Sequence, residues 1–358
     1  MNDKTSSKKK SAAKKKTPDT FWRRNSLAIL ITAIALPVVV ICFLFLFALN
    51  SYSGEDTMLY IPASATQAQV KDSLKTRLGS SDGTRVYLLW RMSGGKPEVA
   101  HGAYNLEHGR SALSIARQLK NGRQTPVKVT FPAVRTMDNL AERVTRNLEI
   151  TPEEFLEACR KVLPDSGFRA EQFPAAFLPD TYEFYWTSSG ETVVKRLLEY
   201  RNRFWTADRI ARARSLGLSK VDVATLASIV EEETAKRDER PLVARLYLNR
   251  LKKKMRLQAD PTVKFATGDF TLRRIGAEHL AINSPYNTYK VNGLPPGPIR
   301  VPEALTLDAV LNAPEHPYIY MCAKADFSGY HDFEVDYQAH VANARRYQAE
   351  LNRRGIKK

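Results

Sequence analysis

Residues 219–236 read SKVDVATLASIVEEETAK, and this stretch is the most informative part of the chain. Ser219 followed three positions later by Asp222 is typical of a helix start in which each side chain bonds to the other's backbone. At about 100° per residue, the apolar positions that follow form one broad face, which predicts a helix packed against a core. These positions are Val223, Leu226, Ala227, Ile229 and Val230.

Three consecutive glutamates end this helix. Glu233 falls roughly 40° from the centre of the apolar face, whereas Glu231 and Glu232 fall roughly 120° and 140° away, toward the edge or solvent. A carboxylate on a buried face is costly unless it is paired, and the usual relief is a raised pKa. A carboxylic acid that keeps its proton near neutral pH is what general-acid cleavage of a glycosidic bond requires.

An alternative for Glu233 stays open at this point. The helix ends here, so the side chain could reach water or pair with a basic residue of the following segment. The basic residues within reach are Lys236, Arg237 and Arg240.

Two later segments carry polar and aromatic groups together. Residues 255–263 read MRLQADPTV, and residues 284–299 read SPYNTYKVNGLPPGPI, which ends in a rigid Gly-Pro-rich loop. Aromatic faces combined with amide and hydroxyl groups suit sugar rings, which have apolar faces and hydroxyl edges. Either segment alone would be an ordinary turn. The candidate side chains are Gln258, Asp260, Tyr286, Asn287 and Tyr289.

Near the amino end, residues 27–49 form an uncharged apolar run, LAILITAIALPVVVICFLFLFAL. At about 1.5 Å per residue, a helix of this length crosses a hydrocarbon core of about 30 Å. A signal peptide has a shorter apolar region of about 7–15 residues followed by small residues at a cleavage site, which the exit at residues 48–51 fits poorly. We therefore expect an uncleaved transmembrane anchor, with a long signal peptide as the alternative.

Charge predicts the orientation of this anchor. Residues 1–26 carry nine Lys or Arg and two acids. The positive-inside rule places this tail in the cytoplasm and everything after residue 50 on the outer (periplasmic) side of the cell (inner) membrane. The tail accounts for part of the net charge of +17. Nucleic acid is not an expected partner. Binding it would require a basic patch with aromatic residues in the folded part of the chain, and that part is expected to lie outside the cytoplasm.

A weak internal repeat relates residues 60–78, YIPASATQAQVKDSLKTRL, to residues 130–148, TFPAVRTMDNLAERVTRNL. Each copy predicts a strand end, a proline turn, a threonine N-cap and an amphipathic helix. After the second copy, Thr151 and Pro152 predict the start of a second helix. Strand–helix–helix resembles the beginning of LysM modules, which bind N-acetylglucosamine polymers. The two segments are identical at four of 19 positions. The alternative is that such strand–helix units are common and that these four identities arose by chance.

The other segments are less distinctive. Residues 85–91, RVYLLWR, predict a buried strand, and residues 191–216 predict one helix that Gly217 ends. After the aromatic-rich and proline-rich residues 168–190, helices come first and short strands later, which predicts an α+β domain. The three cysteines exclude a disulfide scaffold. The six histidines show no ligand spacing, so no metal site is expected.

Four motifs that follow the single anchor resemble the endolytic murein transglycosylase family, the YceG-like proteins of bacterial cell-wall synthesis. They are FLPDTYEFYW (177–186), LASIVEEET (226–234), RLQADPTV (256–263) and SPYNTYKVNGLPPGPI (284–299). The resemblance covers about residues 125–345. It implies that Glu233, the last glutamate of the pattern I-V-E-x-E-T, is catalytic and that the five side chains of the two later motifs line the substrate cleft. Ala175 and Ala176 depart from the Glu-Gly that relatives often have.

The resemblance implies a lytic transglycosylase that cuts the bond between N-acetylmuramic acid and N-acetylglucosamine of nascent glycan strands and leaves 1,6-anhydro ends. It implies no metal and no cofactor. The implied partners are peptidoglycan glycan strands and, at the membrane, the peptidoglycan polymerases and transpeptidases. Two other functions remain open: a muramidase with Asp260 as its second carboxylate, and a non-catalytic peptidoglycan-binding scaffold.

The expected architecture is α+β, with a single N-terminal transmembrane helix and LysM-like βαα modules before a C-terminal α+β catalytic domain. The expected domains are a basic cytoplasmic tail (1–26), the transmembrane anchor (27–49), a LysM-like membrane-proximal region (51–165) and the catalytic transglycosylase domain (166–358).

Overall fold

The computed structural model describes residues 20–272 and 275–355, with side chains from residue 25 onward. Most of the predicted basic tail, residues 1–19, therefore lies outside the described residues. The described chain is a mostly helical α+β protein with three two-stranded antiparallel sheets, which confirms the α+β part of the predicted architecture. Its internal contacts divide it into two compact units, Met1–Gln124 and Thr125–Lys358.

The first unit begins with a long apolar helix. Its elements are α1 (Thr20–Leu49), β1 (Thr57–Ile61), α2 (Gln67–Leu78), α3 (Ser80–Met92), α4 (Pro97–Ala100), β2 (Gly102–Leu106) and α5 (Ala112–Lys120). Within α1, the segment Asn25–Leu49 has a mean hydropathy of 3.1 and is not buried by the rest of the chain. An exposed helix of this length and composition is suited to lipid. It is consistent with a single membrane anchor or a signal sequence.

The rest of the first unit is a small βααβ module. Strands β1 and β2 pair antiparallel, with Leu59 opposite Tyr104, and α2 and α3 bury their apolar faces in the same core. The buried strand predicted for residues 85–91 is wrong, because this segment lies within α3. Val86 and Trp90 are both buried and stand four positions apart. A short apolar run fits one face of a helix as well as it fits a strand.

The second unit opens with the same order of elements. It contains β3 (Val127–Phe131), α6 (Met137–Thr145), α7 (Pro152–Asp165), a 3₁₀ helix (Ala170–Ala176) and β4 (Asp180–Phe184), and β4 pairs antiparallel with β3. The predicted N-caps are confirmed: the hydroxyls of Thr136 and Thr151 each accept a hydrogen bond from the backbone N–H three residues later. Both copies of the repeat are therefore βααβ modules.

The remaining elements of the second unit are mainly helices. They are α8 (Gly190–Phe204), α9 (Ala207–Ser215), α10 (Lys220–Glu233), α11 (Arg240–Lys252), α12 (Asp260–Thr267), α13 (Ala277–Leu280), α14 (Ala304–Leu311), β5 (Tyr320–Ala323), β6 (His331–Glu334) and α15 (Tyr337–Arg353). The single helix predicted for residues 191–216 is wrong. The first helix ends at Phe204, before Trp205, and the hydroxyl of Thr206 caps a second helix. Gly217 follows that helix with φ 71°, as predicted.

Helix α10 lies at the centre of the second unit. Its N-terminus has the predicted reciprocal bonds between Ser219 and Asp222. Helices α9, α11, α12, α14 and the 3₁₀ helix pack around it, and every residue from Val223 to Glu231 is buried. The helix is therefore covered on all sides, not only on the apolar face that the sequence predicted.

Candidate active site

The C-terminal turn of α10 places three consecutive glutamates in three environments. The expectation that Glu231 faces the edge or solvent is wrong, because its side chain is only 2% exposed. Its carboxylate accepts hydrogen bonds from the backbone N–H of Glu303 at 2.9 Å and from the hydroxyl of Thr306 at 2.7 Å. The guanidinium of Arg300 lies 3.1 Å from its other oxygen. The wheel failed here because α14 covers the side that a surface helix would expose.

Glu232 also has cationic partners, and its side chain is 12% exposed. Arg135 donates to both of its carboxylate oxygens, at 2.9 and 3.0 Å. Arg300 donates to Oε1 at 2.8 Å. Glu232 therefore lies at the edge of the helix packing, which is one of the two positions expected of it, and both of its carboxylate oxygens are paired. A two-pronged arginine–carboxylate contact of this kind fixes orientation as well as charge.

Glu233 differs from both neighbours, because the described contacts give it no ion pair. The hydroxyl of Tyr247 donates to its Oε1 at 2.7 Å. Desolvation by burial raises the pKa of Glu233 to about 7, against the smaller opposing effect of the Tyr247 hydrogen bond. The negative charges of Asp260 and Glu232 contribute to this net value by raising the pKa, and the positive charge of Arg250 opposes them. Near neutral pH, both the protonated and the carboxylate form of Glu233 are thus populated.

The basic residues that follow α10 have other partners. Arg237 and Arg240 both contact the carboxylate of Glu303, and the ammonium group of Lys236 lies over the ring of Tyr330. None of the described ion pairs joins them to Glu233. The alternative in which a nearby cation neutralises Glu233 is therefore not the arrangement that the chain adopts.

Tyr247 on α11 is a functional candidate that sequence reasoning missed. Its side chain is fully buried, and its pKa is raised well above the ordinary value by desolvation and by the charge of Glu233. It is therefore a neutral donor throughout the physiological pH range. Its position fourteen residues after Glu233 gives no periodic signal, because the two side chains meet across two different helices.

Two of the predicted cleft residues contact each other close to Glu233. The hydroxyl of Tyr289 donates to Oδ1 of Asp260 at 2.6 Å. The charge of Asp260 acts on the pKa of Glu233, and the charge of Glu233 acts on the pKa of Tyr289. These three side chains therefore form one electrostatic group. Burial and the bond to Asp260 raise the pKa of Tyr289, so its hydroxyl also stays neutral.

Two buried threonines join the segments that carry this group. The hydroxyls of Thr262 and Thr288 lie 2.8 Å apart, and Thr288 also accepts the backbone N–H of Ala259 at 2.9 Å. Gln258 is exposed, donates its backbone N–H to Thr288 at 3.1 Å and has φ 49°. The left-handed region is unusual for a residue with a side chain. These contacts hold residues 258–260 beside residues 286–289.

The remaining predicted residues play different structural parts. Asn287 is fully buried, and its amide donates to the carbonyls of Leu280 and Ile282 at 3.0 and 2.8 Å. Asn287 therefore stabilises the backbone of this loop through its buried amide. The ring of Tyr286 packs on Phe265, with centroids 4.7 Å apart, and burial raises its pKa to about 12. Tyr286 is half-buried.

Comparisons with known proteins give a family and named relatives for this chain. A family model described as the YceG-like family matches residues 59–346. A protein named endolytic murein transglycosylase from Bacillus subtilis is 26% identical over 286 residues, covering 74% of this chain and 78% of that protein. A protein of the same name from Streptococcus pneumoniae is 28% identical over 259 residues, covering 63% of this chain and 47% of that protein. This chain thus spans about half the length of the Streptococcus relative.

A solved structure shares the fold. A yceG-like protein from Listeria monocytogenes superposes with a TM-score of 0.53 at 23% identity, covering 80% of this chain and 98% of that one.

Proposed function

The chain belongs to the YceG-like family, and on that premise we propose that it is an endolytic lytic transglycosylase of peptidoglycan, with Glu233 as its general acid and base. The single observation that carries the proposal is the state of Glu233. Its carboxyl group lies at the end of a buried helix, accepts a hydrogen bond from the neutral hydroxyl of Tyr247, and has a pKa of about 7. A general acid works best when its pKa lies near the operating pH.

The proposed reaction needs one carboxyl group. Tyr247 donates to Oε1, so we assign the transferable proton to Oε2. Glu233 gives this proton to the oxygen between C1 of N-acetylmuramic acid and the next N-acetylglucosamine, and the C1–O bond breaks. The resulting carboxylate takes the proton of the C6 hydroxyl, whose oxygen bonds to C1 and closes the 1,6-anhydro ring. Glu233 ends protonated, and no water is consumed.

The nucleophile belongs to the substrate, so positioning must supply much of the rate enhancement. We assign this part to the predicted cleft residues. Tyr286 and Tyr289 offer aromatic faces to the sugar rings, and Gln258 and Asp260 offer polar groups to the hydroxyl edges. Asn287 holds the loop that carries the two tyrosines. No metal and no cofactor take part in this scheme.

The apolar helix α1 gives the activity its location. We propose that it anchors the chain in the cell membrane with the basic tail in the cytoplasm and residues after 50 outside. The anchored enzyme would then cut nascent strands internally and end their elongation beside the polymerases and transpeptidases. The two βααβ modules have the element order expected of LysM-like units, and we propose that they contribute to holding glycan.

Product analysis tests the reaction. Purified, uncross-linked glycan strands are treated with the full-length protein in detergent, and the fragments are separated and weighed by mass spectrometry. We expect internal fragments with anhydro ends, which lack one water relative to reducing ends, and none from Glu233→Gln. Only chain-end disaccharides would reject the endolytic part of the proposal.

Two other functions give different outcomes. Asp260 lies in the same electrostatic group as Glu233, so a two-carboxylate muramidase is the enzyme alternative, and it would leave reducing ends. A non-catalytic peptidoglycan-binding scaffold would keep its cellular function in the Glu233→Gln variant.

A further inference from the structure

Arg135 lies in the turn between β3 and α6, far in sequence from Glu233 and from the cleft residues. Its guanidinium donates through Nε and Nη2 to the two carboxylate oxygens of Glu232. The same group lies over the ring of Phe270, with its central carbon 5.5 Å from the ring centroid. Arg135 therefore contacts the catalytic helix and an aromatic ring at the same time. A planar guanidinium can donate hydrogen bonds along its edge while its face lies over an aromatic ring.

Phe270 is the first of three aromatic rings in contact, Phe270, Phe265 and Tyr286, which we call the aromatic wall. Its ring centroid lies 6.2 Å from that of Phe265, and Phe265 in turn lies 4.7 Å from Tyr286. Contacts therefore run from Arg135 in two directions. One leads to the carboxylate of Glu232, directly before Glu233, and the other leads to Tyr286, a residue of the predicted cleft.

The turn that carries Arg135 is held by other contacts as well. The backbone N–H of Val301 donates to the carbonyl of Val134 at 2.8 Å, and Nη2 of Arg300 donates to the carbonyl of Ala133 at 3.2 Å. The side chain of Val134 is buried. The turn thus keeps its place without the Arg135 side chain, which is 43% exposed.

The first βααβ module shows that the fold itself does not need this arginine. The repeat aligns residues 60–78 with residues 130–148, which places Ala65 at the position of Arg135. The first module forms the same strand, turn and capped helix with an alanine there. The arginine of the second module is therefore free to serve another purpose.

We propose that Arg135 is a positioning residue for the reaction proposed above, holding the last turn of α10 in register with the aromatic wall that receives the sugar. The inference rests on the proposed function. Arg135 acts through Glu232 and Phe270 and does not touch the reacting atoms. Its charge has a second effect, because it offsets the negative charge of Glu232, which otherwise raises the pKa of Glu233.

The test compares Arg135→Gln and Arg135→Lys with Arg143→Gln, an exposed arginine of the same module. Full-length proteins in detergent are assayed on purified glycan strands for kcat, KM and the pH profile. We expect Arg135→Gln to lower kcat by about 10- to 100-fold, the scale of a small misplacement of reacting groups. We also expect the alkaline limb of its profile to move to higher pH, because Glu232 loses a neutralising partner.

Arg135→Lys separates charge from geometry. Lysine keeps the positive charge but lacks the planar fork, so we expect the pH profile to return toward wild type while kcat stays low. Wild-type kcat and pH profile in Arg135→Gln, or an equal effect of Arg143→Gln, would overturn the proposal. A fall in kcat that merely follows a fall in thermal stability would also overturn it. Activity in Glu233→Gln would instead contradict the proposed function, so the two proposals fail separately.

Discussion

The last turn of α10 has two unlike sides, which we call the arginine side and the tyrosine side. On the arginine side, Glu231 and Glu232 make ion pairs with arginines from three other segments. These arginines are Arg135, Arg240 and Arg300. On the tyrosine side, Glu233 has a hydroxyl partner and no ion pair among the described residues. Three identical neighbouring side chains thus acquire different chemistry from their partners alone.

The comparison separates two tasks that one short segment performs. Ion pairs on the arginine side fix the end of the helix. The tyrosine side leaves a carboxyl group desolvated, so that its pKa rises to about 7. Desolvation and ion pairing act in opposite directions on a carboxyl group. The site therefore needs both sides, and each can be perturbed alone.

The largest expected effect comes from removing the acid. Glu233→Gln should lower kcat on glycan strands by about 10²–10⁴-fold, the usual worth of general acid–base catalysis. The matched variant on the arginine side, Glu232→Gln, should lose at least about tenfold less, because it removes positioning and not the proton donor. Equal losses in the two variants would break the comparison.

The next effect is on stability. Arg300→Met leaves Glu231 buried without its nearest cation, and breaking a buried ion pair costs about 3–5 kcal/mol of unfolding free energy. Bonds from Glu303 and Thr306 remain, so we expect the lower end of this range. Denaturant unfolding measures the change. Arg212→Met, which removes an exposed pair with Asp208, is the control and should cost less than about 1 kcal/mol. Similar costs would show that the arginine side carries little stability.

Tyr247→Phe probes the tyrosine side alone. The hydroxyl stabilises the carboxylate form of Glu233, so its removal should raise the pKa of Glu233 and move the alkaline limb of kcat/KM to higher pH. A hydrogen bond to a charged group contributes about 1.5–3 kcal/mol. The pH dependence of kcat/KM measures the shift, with the exposed Tyr185→Phe as control. A limb that stays in place would exclude a role for Tyr247 in tuning the acid.

The last expected effect is on the pH dependence of the stability of the folded chain. The pKa of Glu233 is higher in the folded chain than its ordinary value of 4.5, so folding favours the protonated form. This contribution is complete below pH 4.5 and is lost as the pH rises through about 7. Glu233→Gln cannot ionise and should unfold at a higher temperature than wild type at pH 8. At pH 4.5 the difference should be smaller. Thermal unfolding at both pH values checks it, and a constant difference would contradict the raised pKa.

The sequence predicted the local parts of this molecule well. Thr136, Thr151 and the Ser219–Asp222 pair cap the helices expected of them, because capping depends on a few adjacent side chains. The apolar face of α10 likewise placed Glu233 toward the interior. The strand predicted for residues 85–91 is wrong, because a short apolar run does not distinguish a helix from a strand.

The environment of the site could not be predicted from local patterns. The helical wheel places Glu231 toward the edge or solvent. It cannot show that α14, which follows much later in the chain, packs against that side of α10. Tyr247, Thr262 and Thr288 were missed for the same reason, since each acts on a partner in another segment. Asn287 was named as a cleft residue, and its buried amide serves the loop backbone. The contacts between distant segments are set by tertiary packing, which periodicity does not encode.

The proton on Glu233 can be observed directly. The protein is labelled with ¹³C at the glutamate side-chain carboxyl, and the signal missing from Glu233→Gln is followed by NMR from pH 4 to pH 9. Our account predicts that this one resonance titrates with a midpoint near 7, the value to which burial raises the pKa. A midpoint close to 4.5, the ordinary value for a glutamate, would contradict it.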